Sequence, residues 1–315
     1  MIRTRADDSA ALLCQAECIG TRAKSLLALP GFSGRVAAAL ADVAYLTGRD
    51  GEVLWLFWEA VPLHGRGIGL SFPPDCLRSG QPFRVEGQDL AVGGRLVIAL
   101  GRAREWTPAS PGPGDVEPLA GLQEAARRLL GALCPAIGPG EPGGVMRGLA
   151  SLCTGGDGAP CPCEARQLPF LAPVFDLMGQ CLSGGLTGIE SRARELIGLG
   201  PGLTPCGDDF LGGLLFAASW LRNAYPGNPG VAAQPTGALV RWAHNRTHPV
   251  SHAILADLAD GQGPEPLHAL LWLLASGEER GGRTIAAADR LARIGTTTGW
   301  YILAGVLTWL LSVDA

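Results

Sequence analysis

The chain has 315 residues, of which 47% are hydrophobic and only 17% charged, and its formal net charge is −4. That length buries a sizeable core in one large domain or two moderate ones. The slightly acidic balance leaves no basic footprint for nucleic acid. Nine cysteines, an odd number scattered without a framework, suit a reducing cytoplasm rather than a disulfide scaffold.

The first residues carry two acids before any apolar segment and no signal-peptide core, so no export is expected. The most apolar late stretch, 301–313, is too short to span a bilayer and reads as a buried helix. Residues 10–29 read as an apolar lead-in, helical or mixed, ending at Pro30-Gly31. Arg49-Asp50-Gly51-Glu52 is a turn signal, and Val53 to Trp58 is rich in strand formers, which predicts a hairpin. The alanines before that turn would also suit a helix. Further strands are expected over 67–72 and 90–100.

Residues 106–117, WTPASPGPGDVE, form the clearest break in the chain. Helical periodicity follows over 119–133, 145–152, 168–182, 190–197 and about 206–223. A Gly/Pro-rich connector covers 224–235, and further helices are predicted over 236–245, 251–258, 267–275, 284–292 and 299–312. The expected fold is therefore α+β: a small β-rich N-terminal domain over 1–110, then a larger all-helical domain over 111–315.

The helical half is organised around residues 198–220, GLGPGLTPCGDDFLGGLLFAASW. Its first ten residues hold four glycines and two prolines. Such a stretch rejects regular structure and delivers a helix N-terminus, where unpaired backbone N–H groups can meet an anion. Capping and the helix dipole would explain one acid there, but not the pair Asp208 and Asp209 behind Gly-Pro-Gly-Leu-Thr-Pro. In the functional reading the amides from Gly202 to Gly207 hold an anionic group. Thr204 sits beside it, and Asp208 or Asp209 orients a nitrogen, holds a divalent cation, or accepts a proton.

A second stretch, GTTTGWY over 295–301, places Thr296, Thr297 and Thr298 at the start of the last helix, with Gly299 allowing close approach. Glycines one turn into both helices, Gly212-Gly213 and Gly305, would let them pack closely and bring both N-termini to one cleft. The third stretch, HNRTHPVSH over 244–252, spaces three histidines by four residues. Pro249 breaks that helix and no Glu lies between the first two, so no metal is assigned there. Arg246, which can bind a carboxylate or phosphate bidentately, and Thr247 and Ser251 are the better candidates. Cys153, Cys161 and Cys163, around a low-complexity loop at 155–162, have poor chelating geometry and read as ordinary thiols.

Together these motifs resemble a family best known from the AllH subunit of oxamate carbamoyltransferase. GLTPCGDDFL over 202–211 is similar to the family's GLTPSGDDFL. Asn245, Arg246, Thr247 and Ser251 match its Asn/Arg/Thr…Ser segment, and 295–301 matches its last Gly-rich element. The β-rich opening, with GEVLWLF and GIGLSF, is also similar. Cys206 stands where a Ser is usual, Thr296 where a His is expected, and Tyr301 where an Asp is expected.

The resemblance implies a subunit of a complex with partner proteins. The reaction it implies is phosphorolysis of a ureido acid such as oxalurate to oxamate and carbamoyl phosphate. The site expected from these readings has Asp208, Asp209 and Thr204 in catalytic roles. Substrate binding falls to Gly202, Gly207, Asn245, Arg246, Thr247, Ser251, Thr297, Thr298 and Gly299. No cofactor is expected beyond a divalent cation at Asp208 and Asp209, and no nucleic-acid or membrane partner. Two other classes stay open: a small-molecule kinase using Gly207-Asp208 as anion hole and base, and a non-catalytic scaffold subunit. Magnesium-dependent ATP binding would favour the first, and activity surviving loss of both acids the second.

Overall fold

The computed structural model describes residues 11–58, 61–112, 114–138, 140–154, 171–184, 188–228, 236–277 and 282–313. The loop at 155–162 and part of the connector at 224–235 lie outside them. The architecture is α+β, in two compact units, Met1–Pro108 and Ala109–Ala315.

The first unit is a closed barrel. Its strands are β1 (Leu12–Gly20), β2 (Ser33–Ala39), β3 (Val43–Gly48), β4 (Val53–Phe57), β5 (Gly67–Leu70), β6 (Pro82–Glu86), β7 (Asp89–Val92), β8 (Leu96–Ala99) and β9 (Arg104–Trp106). A short helix, α1 (Thr21–Leu27), follows β1. The order β5-β4-β3-β2-β6-β7-β8-β1 closes on itself because β1 also pairs antiparallel with β5, leaving no open edge in that ring. The predicted β3–β4 hairpin forms around residues 49–52, with Tyr45 directly opposite Trp55 and their rings 5.9 Å apart. Leu46, Leu54, Leu56, Ile68, Leu90 and Ile98 fill the interior.

Two readings that the sequence left open take one form here, and a third differs. The lead-in is a strand and then a helix, and the alanines before the turn belong to β2, which pairs with both β3 and β6. Residues 90–100, expected as one strand, are the hairpin β7–β8. Gly93 and Gly94 both take positive φ, +61° and +68°, which is the turn that matches the twist of paired strands.

In the second unit the described residues form only helices: α2 (Leu119–Ala136), α3 (Glu141–Cys153), α4 (Leu171–Gly184), α5 (Glu190–Leu196), α6 (Cys206–Ala224), α7 (Thr236–Ala243), α8 (Pro249–Ala259), α9 (Glu265–Ala275), α10 (Arg283–Ala292) and α11 (Thr298–Ser312). None of the described helices is long and apolar enough to cross a membrane. Nearly every residue of α6 and α11 is buried, so these two helices are the centre of the unit's core. They touch along their backbones. A Cβ on Gly213 would collide with the Ile302 carbonyl oxygen, and one on Gly305 with that of Phe210. At the far end, the Gln123 side chain of α2 donates to the carbonyls of Leu310 (3.1 Å) and Val313 (2.6 Å), satisfying acceptors that the end of α11 leaves over.

Candidate functional site: an acid pair at the meeting of two helix N-termini

The loop at 198–205 needs its glycines for their conformation. Gly198, Gly200 and Gly202 have φ of +74°, +115° and +94°, where a side chain is strained. A Cβ on Gly198 would also lie 2.5 Å from the Arg246 carbonyl oxygen, so the loop runs directly under the α7–α8 turn. Gly207 is pressed against the Leu196 carbonyl in the same way. The loop folds back on the start of α6 through Gly207 N–H donating to Leu199 O at 2.9 Å and Asp209 N–H to Pro205 O at 3.1 Å. Those two amides are therefore used internally. Of the amides from Gly202 to Gly207 expected to hold an anion, that of Gly207 is turned inward. The N–H groups of Gly202, Leu203 and Thr204 make no hydrogen bond among the described residues, and Gly202 is exposed.

The two acids have opposite environments although both are 2% exposed. Asp208 is fully engaged. Its Oδ1 accepts from Gly198 N–H at 2.8 Å, and its Oδ2 accepts from the hydroxyls of Thr247 and Ser251, the latter at 2.7 Å. Three separate segments are tied together by one carboxylate. Asp209 points elsewhere, and its Oδ2 is buried with no hydrogen-bond partner among the described residues. Burial pushes its carboxyl well above the usual carboxylate range. The Thr298 hydroxyl opposes that shift, the Asp208 charge adds to it, and the Thr204 hydroxyl opposes it. Thr204 and Thr298 meet each other at 2.9 Å, so the starts of α6 and α11 do converge, with Asp209 behind the two hydroxyls.

The remaining candidates divide. Thr247 and Ser251 are in place, but they act on Asp208 rather than facing outward. Asn245 is exposed and holds the α7–α8 turn at φ +62°, a left-handed conformation that Asn tolerates. The Arg246 guanidinium is exposed, lies 3.8 Å over the Trp242 ring and donates to the Trp242 carbonyl. It makes no ion pair among the described residues. Thr297 is half-buried and its carbonyl accepts from Trp300 and Tyr301 N–H, while Gly299 packs against the Leu291 carbonyl at the end of α10. The histidines are not arranged around a common point: His248 caps α8 through Nδ1, and His244 stacks edge-on against His252. No group of three or more His, Cys, Asp or Glu side chains that could hold a metal occurs among the described residues. Of the three loop thiols, Cys153 is exposed and Cys161 and Cys163 lie outside the described residues.

Sequence reasoning missed one neighbour of these helices, Glu141. Tyr301, fully buried, donates its hydroxyl to Glu141 Oε1. The Cys206 thiol lies within hydrogen-bonding reach of the same hydroxyl and donates to Leu199 O at 3.3 Å. Burial pushes that thiol up to about 12, with the nearby Glu141 charge adding to the shift, so little of it is thiolate at neutral pH. The two positions where α6 and α11 depart from the resembled pattern are thus neighbours. Gly140, Pro142, Gly143 and Gly144 read as helix breakers, which hid the true start of α3 and with it Glu141.

The arrangement thus sets an acid pair where the starts of α6 and α11 meet, one carboxylate tying the backbone together and the other leaving its Oδ2 without a partner among the described residues. Residues 196–310, from the end of α5 into α11, match the model of the family described as oxamate carbamoyltransferase subunit AllH. This is the family that the GLTPCGDDFL motif resembles. No solved structure matches the chain.

Proposed function

We propose that the chain is a cytoplasmic subunit of a carbamoyltransferase-type complex acting on a small ureido- or amide-bearing acid. The representative reaction is oxalurate plus phosphate giving oxamate and carbamoyl phosphate. The observation that carries this reading is the buried, unpartnered Oδ2 of Asp209, with two threonine hydroxyls beside its carboxyl. A carboxyl held toward its neutral form presents one O–H donor and one C=O acceptor side by side. An amide or ureido group presents the complementary C=O and N–H. A bare phosphate or a metal ion would not use that pairing.

In the reaction a phosphate oxygen attacks the ureido carbonyl carbon, and the bond from that carbon to the inner nitrogen breaks. Asp209 gives its proton to the departing nitrogen, which leaves as the amide of oxamate. The proton of the attacking hydrogen phosphate restores the carboxyl, so the site ends in its starting state. The N–H groups of Gly202, Leu203 and Thr204 and the exposed Arg246 guanidinium, which makes no ion pair among the described residues, suit the substrate's anionic groups. In this reading no divalent cation bridges the acids, because Asp208 already accepts from three donors and Asp209 is held toward neutrality.

The test is an assay of the chain, alone and with its partner subunits, for carbamoyl phosphate formed from oxalurate and phosphate. Formation that Asp209→Asn abolishes supports the proposal. No product with intact partners sinks it, and undiminished complex activity in Asp208→Asn and Asp209→Asn makes the chain a scaffold.

A further inference from the structure

We propose that Glu141 is a positioning residue of this site, acting through Tyr301 and Cys206 on the glycine loop. The inference rests on the reading that this loop forms the site. Glu141 lies on α3, outside the stretch that the family model matches.

A fully buried phenol needs a partner for its hydroxyl. Tyr301 takes a carboxylate, and hydrogen bonds to an ionised acceptor are about twice as strong as neutral ones. Glu141 suits that role because it is half-buried in the first turn of α3, where the helix dipole favours an anion. Gly140, at φ +118°, turns the chain sharply into the helix just ahead of it.

The Tyr301 hydroxyl also lies against the Cys206 thiol, whose S–H donates to Leu199 O. That same carbonyl accepts Gly207 N–H at 2.9 Å. Leu199 sits between Gly198, whose N–H holds Asp208, and Gly200, whose strained φ begins the outward swing of the loop. One line of contacts therefore runs from the carboxylate on α3, through phenol and thiol, to the carbonyl on which the loop turns. Glu141 sets where the loop places the Gly198 amide and the unused amides of Gly202 to Thr204, without itself touching a substrate.

The test measures the reaction of Cys206 with N-ethylmaleimide in the full-length chain by peptide mass mapping, and the binding of oxamate by calorimetry. Glu141→Gln and Tyr301→Phe are made singly and together. Cys181 serves as control, being buried as well and pushed up to about 12 by burial on a different helix. Each single variant is expected to label Cys206 about tenfold faster and to bind oxamate about tenfold more weakly. The double variant should match the singles and Cys181 should stay unchanged, because members of one chain of contacts do not add. Unchanged Cys206 labelling in both single variants overturns the proposal, as do effects that multiply in the double variant. Faster labelling of Cys181 as well would mean general loosening and would also overturn it. If Tyr301→Phe fails to fold, Glu141→Gln and Glu141→Asp decide by the same labelling. Wild-type protein that binds no oxamate counts against the functional reading alone, since the labelling pattern does not depend on it.

Discussion

Gly213 of α6 lies directly against the Ile302 carbonyl of α11, with no room for a Cβ between them. Gly305 makes the reciprocal approach to Phe210, so the two central helices cross at backbone contact. That contact fixes the offset of the helices and, one to two turns away, the meeting of Thr204 with Thr298.

Gly213→Ala should therefore destabilise the helical unit by about 2–3 kcal/mol, because a helix backbone cannot yield as a side chain can. Urea denaturation followed by circular dichroism measures it. Gly227→Ala, at a position with open space around it, should change stability by less than about 0.5 kcal/mol.

The adjacent acids should respond oppositely to the same isosteric change. Asp208→Asn turns an amide donor toward groups that already donate, and should cost about 2–3 kcal/mol of stability. At about pH 4 Asp209→Asn should leave stability within about 1 kcal/mol of wild type, and at neutral pH it should lower carbamoyl transfer at least about a hundredfold. Paired melts and turnover assays of the two variants separate the roles.

The raised Asp209 carboxyl gives stability a defined pH slope. The native protein keeps this proton to higher pH than the unfolded chain does, so between the two titrations the native state binds more protons. Asp209's contribution is then fully present below about pH 4, the unfolded value, and is lost as pH rises through the native one. The slope cannot exceed about 1.4 kcal/mol per pH unit for one group. From pH 4 upward the denaturant midpoint of wild type should fall progressively relative to that of Asp209→Asn. Parallel curves would contradict the assignment.

Thr247 and Ser251 donate to the same oxygen of Asp208. Thr247→Val and Ser251→Ala should each cost about 1–2 kcal/mol, as for loss of a donor to a charged group. The double variant should depart from additivity by about 0.5 kcal/mol or more, because either hydroxyl partly serves in the absence of the other. A double-mutant cycle in urea reads that coupling.

Much of this was legible in the residues. The hairpin around Asp50-Gly51, the break near Pro111 and the strongly periodic helices follow from turn chemistry and spacing. Convergence of the two Gly-rich helix starts follows from Gly213 and Gly305. Other features depend on what lies across from a residue, which sequence does not state. Asp208 and Asp209 are adjacent and project about 100° apart on the helix, so only the packed neighbours decide which is satisfied and which is left over. Arg246 looks like an anion clamp from composition, yet it lies on Trp242 four positions earlier. The β7–β8 turn hides in a run of apolar residues because Gly93-Gly94 reads as a break only when both residues take positive φ.

The hydrogen bonds that define the site join residues 10, 39, 43, 94 and 160 positions apart. Contacts of that reach close only after the intervening helices have docked. The motif alone therefore does not make this arrangement, which needs residues as far along the chain as Thr298 and Tyr301. With α11 withdrawn from α6, Asp209 would stand in water as an ordinary carboxylate, so the raised titration of this group depends on the docking of the two helices.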